Sequence, residues 1–164
     1  MKTQRGFSLI ETLIVVGVVG IIGVLAAVAV NTARARQRDA VRVSHVRQIQ
    51  SALEDFFNGH SAYPAGAGIP LGDSAQSACL GPGGFVASCG SDHPSFLILG
   101  TYEPGLKGLA TCGTPERNAF CYAQAAEGVS YGIQFELERA LPEAGLQKGV
   151  NCATPETMSA GACK

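Results

Sequence analysis

From Leu13 to Val30 the chain carries no charged or hydrogen-bonding side chain. With Phe7, Leu9 and Ile10 the apolar run reaches about 24 residues, roughly what a helix needs to cross a bilayer core. The pattern then changes abruptly. In the stretch that follows, Val43, Val46, Ile49, Leu53 and Phe56 or Phe57 recur at steps of three and four, the spacing of an amphipathic helix. No proline interrupts either half, and Asn58-Gly59 is a stop signal. The pattern predicts one helix from about Phe7 to Phe57, roughly 75 Å long at 1.5 Å per residue.

Beyond the helix, residues 65–94 are rich in Gly, Ala, Ser and Pro without sustained periodicity and read as a connecting loop. Gly81, Gly83 and Gly84 in LGPGGF invite a phosphate-loop reading. No Lys-Ser or Lys-Thr follows and no strand-loop-helix frame surrounds them, so a turn is expected. Apolar content returns at Phe96–Leu99. Then Phe120–Ala126, Glu127-Gly128 and the alternating Val129, Tyr131, Ile133, Phe135 and Leu137 predict a hairpin with one buried face. That face suits the helical stripe.

Glu11 breaks the apolar run one turn in, where an ionised carboxylate costs about 1 to 3 kcal/mol depending on depth. Lys2 and Arg5 precede it, as in the basic region of a secretory signal. In such a signal, however, the small-residue cleavage site follows the apolar region, whereas here the small residue beside the basic leader is Gly6, ahead of it. Cleavage there leaves the apolar helix on the mature chain.

Lys2, Arg5, Gly6, Phe7 and Glu11, in K-x-x-R-G-F-S-L-I-E-T-L-I-V-V, resemble the class III signal and N-terminal helix of type IV pilins and of the pseudopilins of type II secretion. The resemblance implies a prepilin peptidase cutting between Gly6 and Phe7 and methylation of the new Phe7 amine. It also implies a role for Glu11 in assembly: a buried carboxylate is costly alone and much less so when paired, and the Phe7 amine of a neighbouring subunit, or of the same chain, would supply the partner. The bland alternative places Glu11 at headgroup level. Many pilins carry a proline in the second half of this segment and this chain has none. The end of the amphipathic helix, with Phe56-Phe57 and then Tyr63-Pro64, is similar to the family as well, extending the resemblance over roughly the first 64 residues.

On these grounds the expected organisation is a leader at 1–6, a membrane and filament-core helix half at 7–30, an amphipathic half at 31–58 and a head at 59–164. The head divides into a connecting loop (59–95), a sheet region (96–140) and a C-terminal loop (141–164). The fold class is α+β, and the resemblance implies the type IV pilin fold, a long helix packed on a small antiparallel sheet with disulfide-stapled loops.

Composition narrows the function. The 164 residues allow one head of moderate size. The net charge of −1 becomes −3 once Lys2 and Arg5 are removed, leaving ten basic and thirteen acidic side chains, so no global basic field or specific nucleic-acid site is evident. Arg34, Arg36 and Arg38 follow the apolar run closely and oppose a simple positive-inside count for an exported head. They suit either lipid headgroups and solvent, or acidic residues of adjacent subunits such as Asp39, Glu54 or Asp55. Gly17, Gly20 and Gly23 each cost a helix about 1 kcal/mol. They read equally as sites of close helix approach or as points where the helix melts.

Six cysteines, all in the head, favour disulfides in an exported domain. Fifteen pairings exist in principle, and the near-neighbour set is preferred: Cys79 with Cys89, Cys112 with Cys121, and Cys152 with Cys163. Each closes a loop of about ten residues, worth roughly 2 to 3 kcal/mol in the chain-entropy model. The last pair resembles the C-terminal disulfide loop of pilins. Zinc is disfavoured because there is no Cys-x-x-Cys and no histidine at finger spacing. A calcium site in the C-terminal loop, used by some pseudopilins, is in doubt because Asn151–Lys164 holds Glu156 and no Asp. No catalytic constellation is found around Ser95, Ser130, His45, His60 or His93, and neither a metal nor a cofactor is expected.

The resemblance therefore implies a structural subunit of a type IV pilus rather than an enzyme. Its partners would be prepilin peptidase, the inner-membrane assembly machinery, the lipid bilayer before assembly and copies of itself in a helical filament. Its location would be the inner membrane first and an extracellular filament afterwards. The alternatives are a major pseudopilin of a type II secretion system and a membrane-tethered minor pilin or adhesin module.

Overall fold

The computed structural model describes residues 8–88, 90, 97–98, 112 and 120–163. A single helix, α1, runs over Leu9–His60, as the absence of proline permits. The expected stop at Asn58-Gly59 is passed by one residue. His60 stacks on Phe56 with ring centres 4.1 Å apart, and Ser61 then ends the helix in the left-handed region (φ 56°) with its N–H donating to the Phe57 carbonyl at 2.7 Å. The chain divides into two units, Met1–Arg38 and Asp39–Lys164.

The first unit contains the apolar part of α1, and from Leu9 to Val30 all of its side chains are exposed. The second unit contains the rest of α1 and the strands β1 (Ile69–Pro70), β2 (Cys79–Gly81), β3 (Gly84–Val86), β4 (Leu97–Ile98), β5 (Cys121–Ala125), β6 (Ser130–Leu137), β7 (Gly149–Ala153) and β8 (Met158–Ala160). Among the described residues these form a five-stranded sheet in the order β1-β5-β6-β7-β8 and a three-stranded sheet β3-β2-β4, and each pairing is antiparallel. The architecture is the α+β one expected.

β5 and β6 are the expected hairpin, joined by a short 3₁₀ turn at Ala126–Gly128 in which Glu127 and Gly128 both have positive φ. Burial alternates strictly along β6: Tyr131, Ile133, Phe135 and Leu137 are buried. Val129 departs from the expectation. It precedes the strand and is 64% exposed, because the positive-φ pair ahead of it turns the chain before the alternation begins. The buried face packs with Val46, Ile49, Ala52, Leu53 and Phe56 of α1, together with Tyr122, Leu146 and Ala153.

Two segments expected as loops carry strands. Within 59–95, β1 pairs with β5 through Ile69 opposite Tyr122, and Leu71 and Leu80 are buried. LGPGGF is the tight connection between β2 and β3, with Gly81 opposite Gly84. Within 141–164, β7 pairs with β6 over five positions, from Ile133 opposite Ala153 to Leu137 opposite Gly149, and β8 adds the edge. Gly149, Asn151 and Ala153 are poor strand formers. The segment is drawn into the sheet by backbone pairing and by the fully buried Asn151 side chain, which accepts from the Gln147 N–H and donates to the Gln147 and Gly149 carbonyls, each at 2.9 Å.

Candidate functional site

The N-terminal segment is described from Ser8, whose carbonyl accepts from the N–H groups of Glu11 (3.0 Å) and Thr12 (3.2 Å). Thr12 Oγ1 donates to the Leu9 carbonyl at 2.8 Å. Glu11 thus stands in the first turn of α1, where the helix dipole favours a carboxylate. Its side chain is exposed and makes no hydrogen bond or ion pair among the described residues. Gly6 and Phe7, the expected cleavage junction, lie outside the described residues.

The apolar surface that follows has no polar side. Leu9, Ile14 and Val19, about 140° apart around a helix, are 81%, 58% and 63% exposed. By length and composition this helix can cross a membrane. A Cβ placed on Gly17, Gly20 or Gly23 would meet nothing within 4 Å among the described residues, so any close approach that these glycines admit is to something other than those residues. All three are helical.

Where α1 enters the second unit, Asp39 is fully buried. Its two oxygens accept from the N–H groups of Glu138 and Arg139, each at 2.9 Å, at the end of β6. Arg42 Nη1 lies 3.1 Å from Asp39 Oδ1 and 3.2 Å from Glu138 Oε1. This corrects one expectation: Asp39 is committed inside its own chain and is not an acceptor for the arginines of a neighbour. Glu54 accepts from the Tyr63 hydroxyl at 2.8 Å, while Asp55 is exposed. Sequence reasoning missed the Asp39 cluster although a signal existed, since extending the stripe Val46 and Val43 backward by one further step of four lands on Asp39.

Cys112 is joined to Cys121 and Cys152 to Cys163, with Cα separations of 5.6 and 5.0 Å. Cys79 is disulfide-bonded, and Cys89, its partner in the preferred set, lies outside the described residues. The C-terminal bridge crosses β6 at Gly132, where a Cβ would stand 2.9 Å from Cys163 Sγ, closer than packing tolerates. Gly132 is therefore the seat of that bridge.

Tyr63, Tyr122 and Tyr131 form a buried aromatic group. Tyr63 and Tyr131 meet edge-on at 4.7 Å, and Tyr122 donates to the Pro64 carbonyl at 2.7 Å. Burial, helped by the neighbouring Glu54, pushes the Tyr63 hydroxyl up to about 12, and burial also raises those of Tyr122 and Tyr131. A polar groove of about 460 Å³ beside them is lined by Arg47, Gln50, Glu54, Glu156 and Met158, among others. It mixes both signs of charge, and no group of three His, Cys, Asp or Glu able to hold a metal occurs among the described residues. His45 packs edge-on to Phe120, and His60 Nδ1–H donates to the Phe56 carbonyl at 2.9 Å. His93 and Ser95 lie outside the described residues.

Residues 1–29 match the family model described as the prokaryotic N-terminal methylation motif. The chain thus carries the class III signal of type IV pilins and pseudopilins, a match that ends within the apolar part of α1 and leaves the head unmatched. Comparison with curated proteins and with solved structures found no match.

Proposed function

We propose that this chain is a structural subunit of a type IV pilus, not an enzyme. In this reading prepilin peptidase cuts after Gly6, the Phe7 amine is methylated, and the inner-membrane assembly machinery packs the apolar half of α1 into a surface filament serving adhesion, motility or DNA uptake. The observation that carries it is the conjunction of the N-terminal methylation motif with a helix apolar over its whole circumference and one carboxylate, Glu11, in its first turn. Among the described residues nothing covers that surface, and a stack of like helices would. Glu11 would then meet the Phe7 amine of a neighbour, which offsets the cost of burying it.

The disulfide loops of the head favour a pilus exposed outside the cell. The compact β5–β6 hairpin and the Tyr63-Pro64 turn are the features that favour a second reading, a major pseudopilin of type II secretion. Intact mass and N-terminal sequencing of protein from sheared surface filaments and from membranes of the same cells separate the two. The expected result is a chain beginning at N-methylated Phe7, abundant in the sheared fraction and lighter than its reduced form by the hydrogens of its disulfides. A processed chain confined to membranes would favour the pseudopilin or a minor pilin, and retention of Met1 to Gly6 would sink the filament reading.

A further inference from the structure

We infer that Arg34 and Arg36 form a phospholipid-binding collar that grips anionic headgroups at the exported face of the membrane before assembly. The inference rests on the membrane-anchored stage of the proposed function and deepens it by naming the lipid class and the residues. Both arginines are exposed and make no hydrogen bond or ion pair among the described residues. No acidic side chain lies between Glu11 and Asp39, and the Asp39 oxygens are taken by Arg42 and the end of β6. The two cations therefore have no counter-ion on their own stretch of helix.

Their depth fits a headgroup layer. Leu9 to Val30 makes about 33 Å of helix at roughly 1.5 Å per residue, close to a hydrocarbon core of about 30 Å. Arg34 and Arg36 stand about 6 and 9 Å further along the axis, at and just past the outer edge of a headgroup layer about 5 to 7 Å thick, and helical side chains tilt back toward the N-terminus, into that layer. Long arginine stems lie along apolar surface while the guanidinium reaches the polar layer. There the planar fork matches two phosphate oxygens at once.

Their angular placement chooses the occupant. Two residues apart means about 200° around the helix, so Arg34 and Arg36 point to opposite sides. A single protein surface docking on this helix would meet one of them. A plane of lipid encloses the helix and meets both, just as the apolar surface below is exposed on all sides. A head translocated against three arginines also gains from anionic lipid on the far side, which offsets the positive-inside bias.

The test uses the full chain in micelles doped with equal amounts of phosphatidylglycerol and phosphatidylcholine, with retained lipid counted by native mass spectrometry. The expected result is strong enrichment of phosphatidylglycerol, falling about fivefold for each arginine replaced in R34Q and R36Q and weakening with added salt. The R34K/R36K variant should keep most of the enrichment, and circular dichroism should show the helix intact in all variants. Equal retention of the two lipids, or enrichment unchanged in R34Q/R36Q, overturns the proposal. If enrichment is absent while R34Q/R36Q abolishes filaments, the collar instead docks on the acidic head of a second copy. Because lipid retention is read on the unassembled chain, enrichment without any sheared filament would sink the pilus reading and leave the collar standing.

Discussion

The two halves of α1 are continuous in backbone and opposite in chemistry. From Leu9 to Val30 the side chains are apolar on every side and exposed on every side; from Asp39 to His60 they are apolar along one stripe, and that stripe is buried against the sheet. A helix hydrophobic all round stays in water only if something else covers it, whereas an amphipathic one is satisfied by its own domain. The difference teaches that the first half is a surface waiting for lipid or like helices, and the second is the spine of a self-sufficient head. The Asp39 cluster marks the change.

That comparison predicts its own most damaging substitution. Asp39→Ala would leave Arg42 buried without one of its carboxylates and two backbone N–H groups without acceptors, and breaking a buried pair from one side costs about 3 to 5 kcal/mol. Denaturant unfolding of the full chain in detergent, followed by the near-ultraviolet dichroism of the head tyrosines, should show a loss of that size. Arg36→Ala, one turn earlier on the exposed side, should leave the transition in place. Equal effects at the two positions would remove Asp39 as the boundary.

The same chemical change can be made in each half. Leu53→Ala empties a fully buried site and should cost about 2 to 5 kcal/mol of head stability in the same measurement. Leu25→Ala removes the same atoms from an exposed site and should leave the head transition unchanged, its effect appearing only in membrane retention or filament yield. If Leu25→Ala lowered head stability as much as Leu53→Ala, the two halves would not be separable.

How much of this was legible follows from the length of each pattern. The helix, its stripe and the β5–β6 hairpin each repeat an apolar period several times, and all three appear where the repeats lie. β1, β2 and β3 have two or three residues each, too few for a period to declare itself. β7 is held by Asn151 and by pairing with β6, interactions between segments that spacing within one segment cannot encode. Asp39 lies on the stripe by spacing but carries the sequence signature of a surface charge, because a carboxylate among arginines ordinarily faces solvent. In the candidate site, the reading of Glu11 as exceptional came from its contrast with the apolar run, while the seat of the C-terminal bridge at Gly132 needed the register of β6 and β7.

The smallest effect concerns the tyrosines of the head, for which the apolar half of α1 has no counterpart. A phenol whose folded pKa lies above its unfolded value of about 10 keeps its proton longer in the folded state. Above that pH the unfolded chain binds fewer protons, so stability falls as pH rises. For Tyr63 the contribution is present in full below about pH 10 and is lost as pH climbs toward about 12. Tyr122 and Tyr131 are shifted in the same direction. The buried hydroxyl of Tyr131 meets no partner at hydrogen-bond geometry among the described residues; the Gln50 amide beside it donates one N–H to the Thr154 carbonyl at 2.7 Å. Tyr131→Phe should therefore be neutral, or stabilising by about 1 kcal/mol, near pH 7, and should flatten the alkaline decline by removing one of the three groups. Unfolding midpoints for the two chains at neutral pH and near pH 11 give the answer. A clear loss at neutral pH would mean that the hydroxyl holds a partner in solution, and parallel alkaline declines would mean that Tyr131 titrates alike in the folded and unfolded chain.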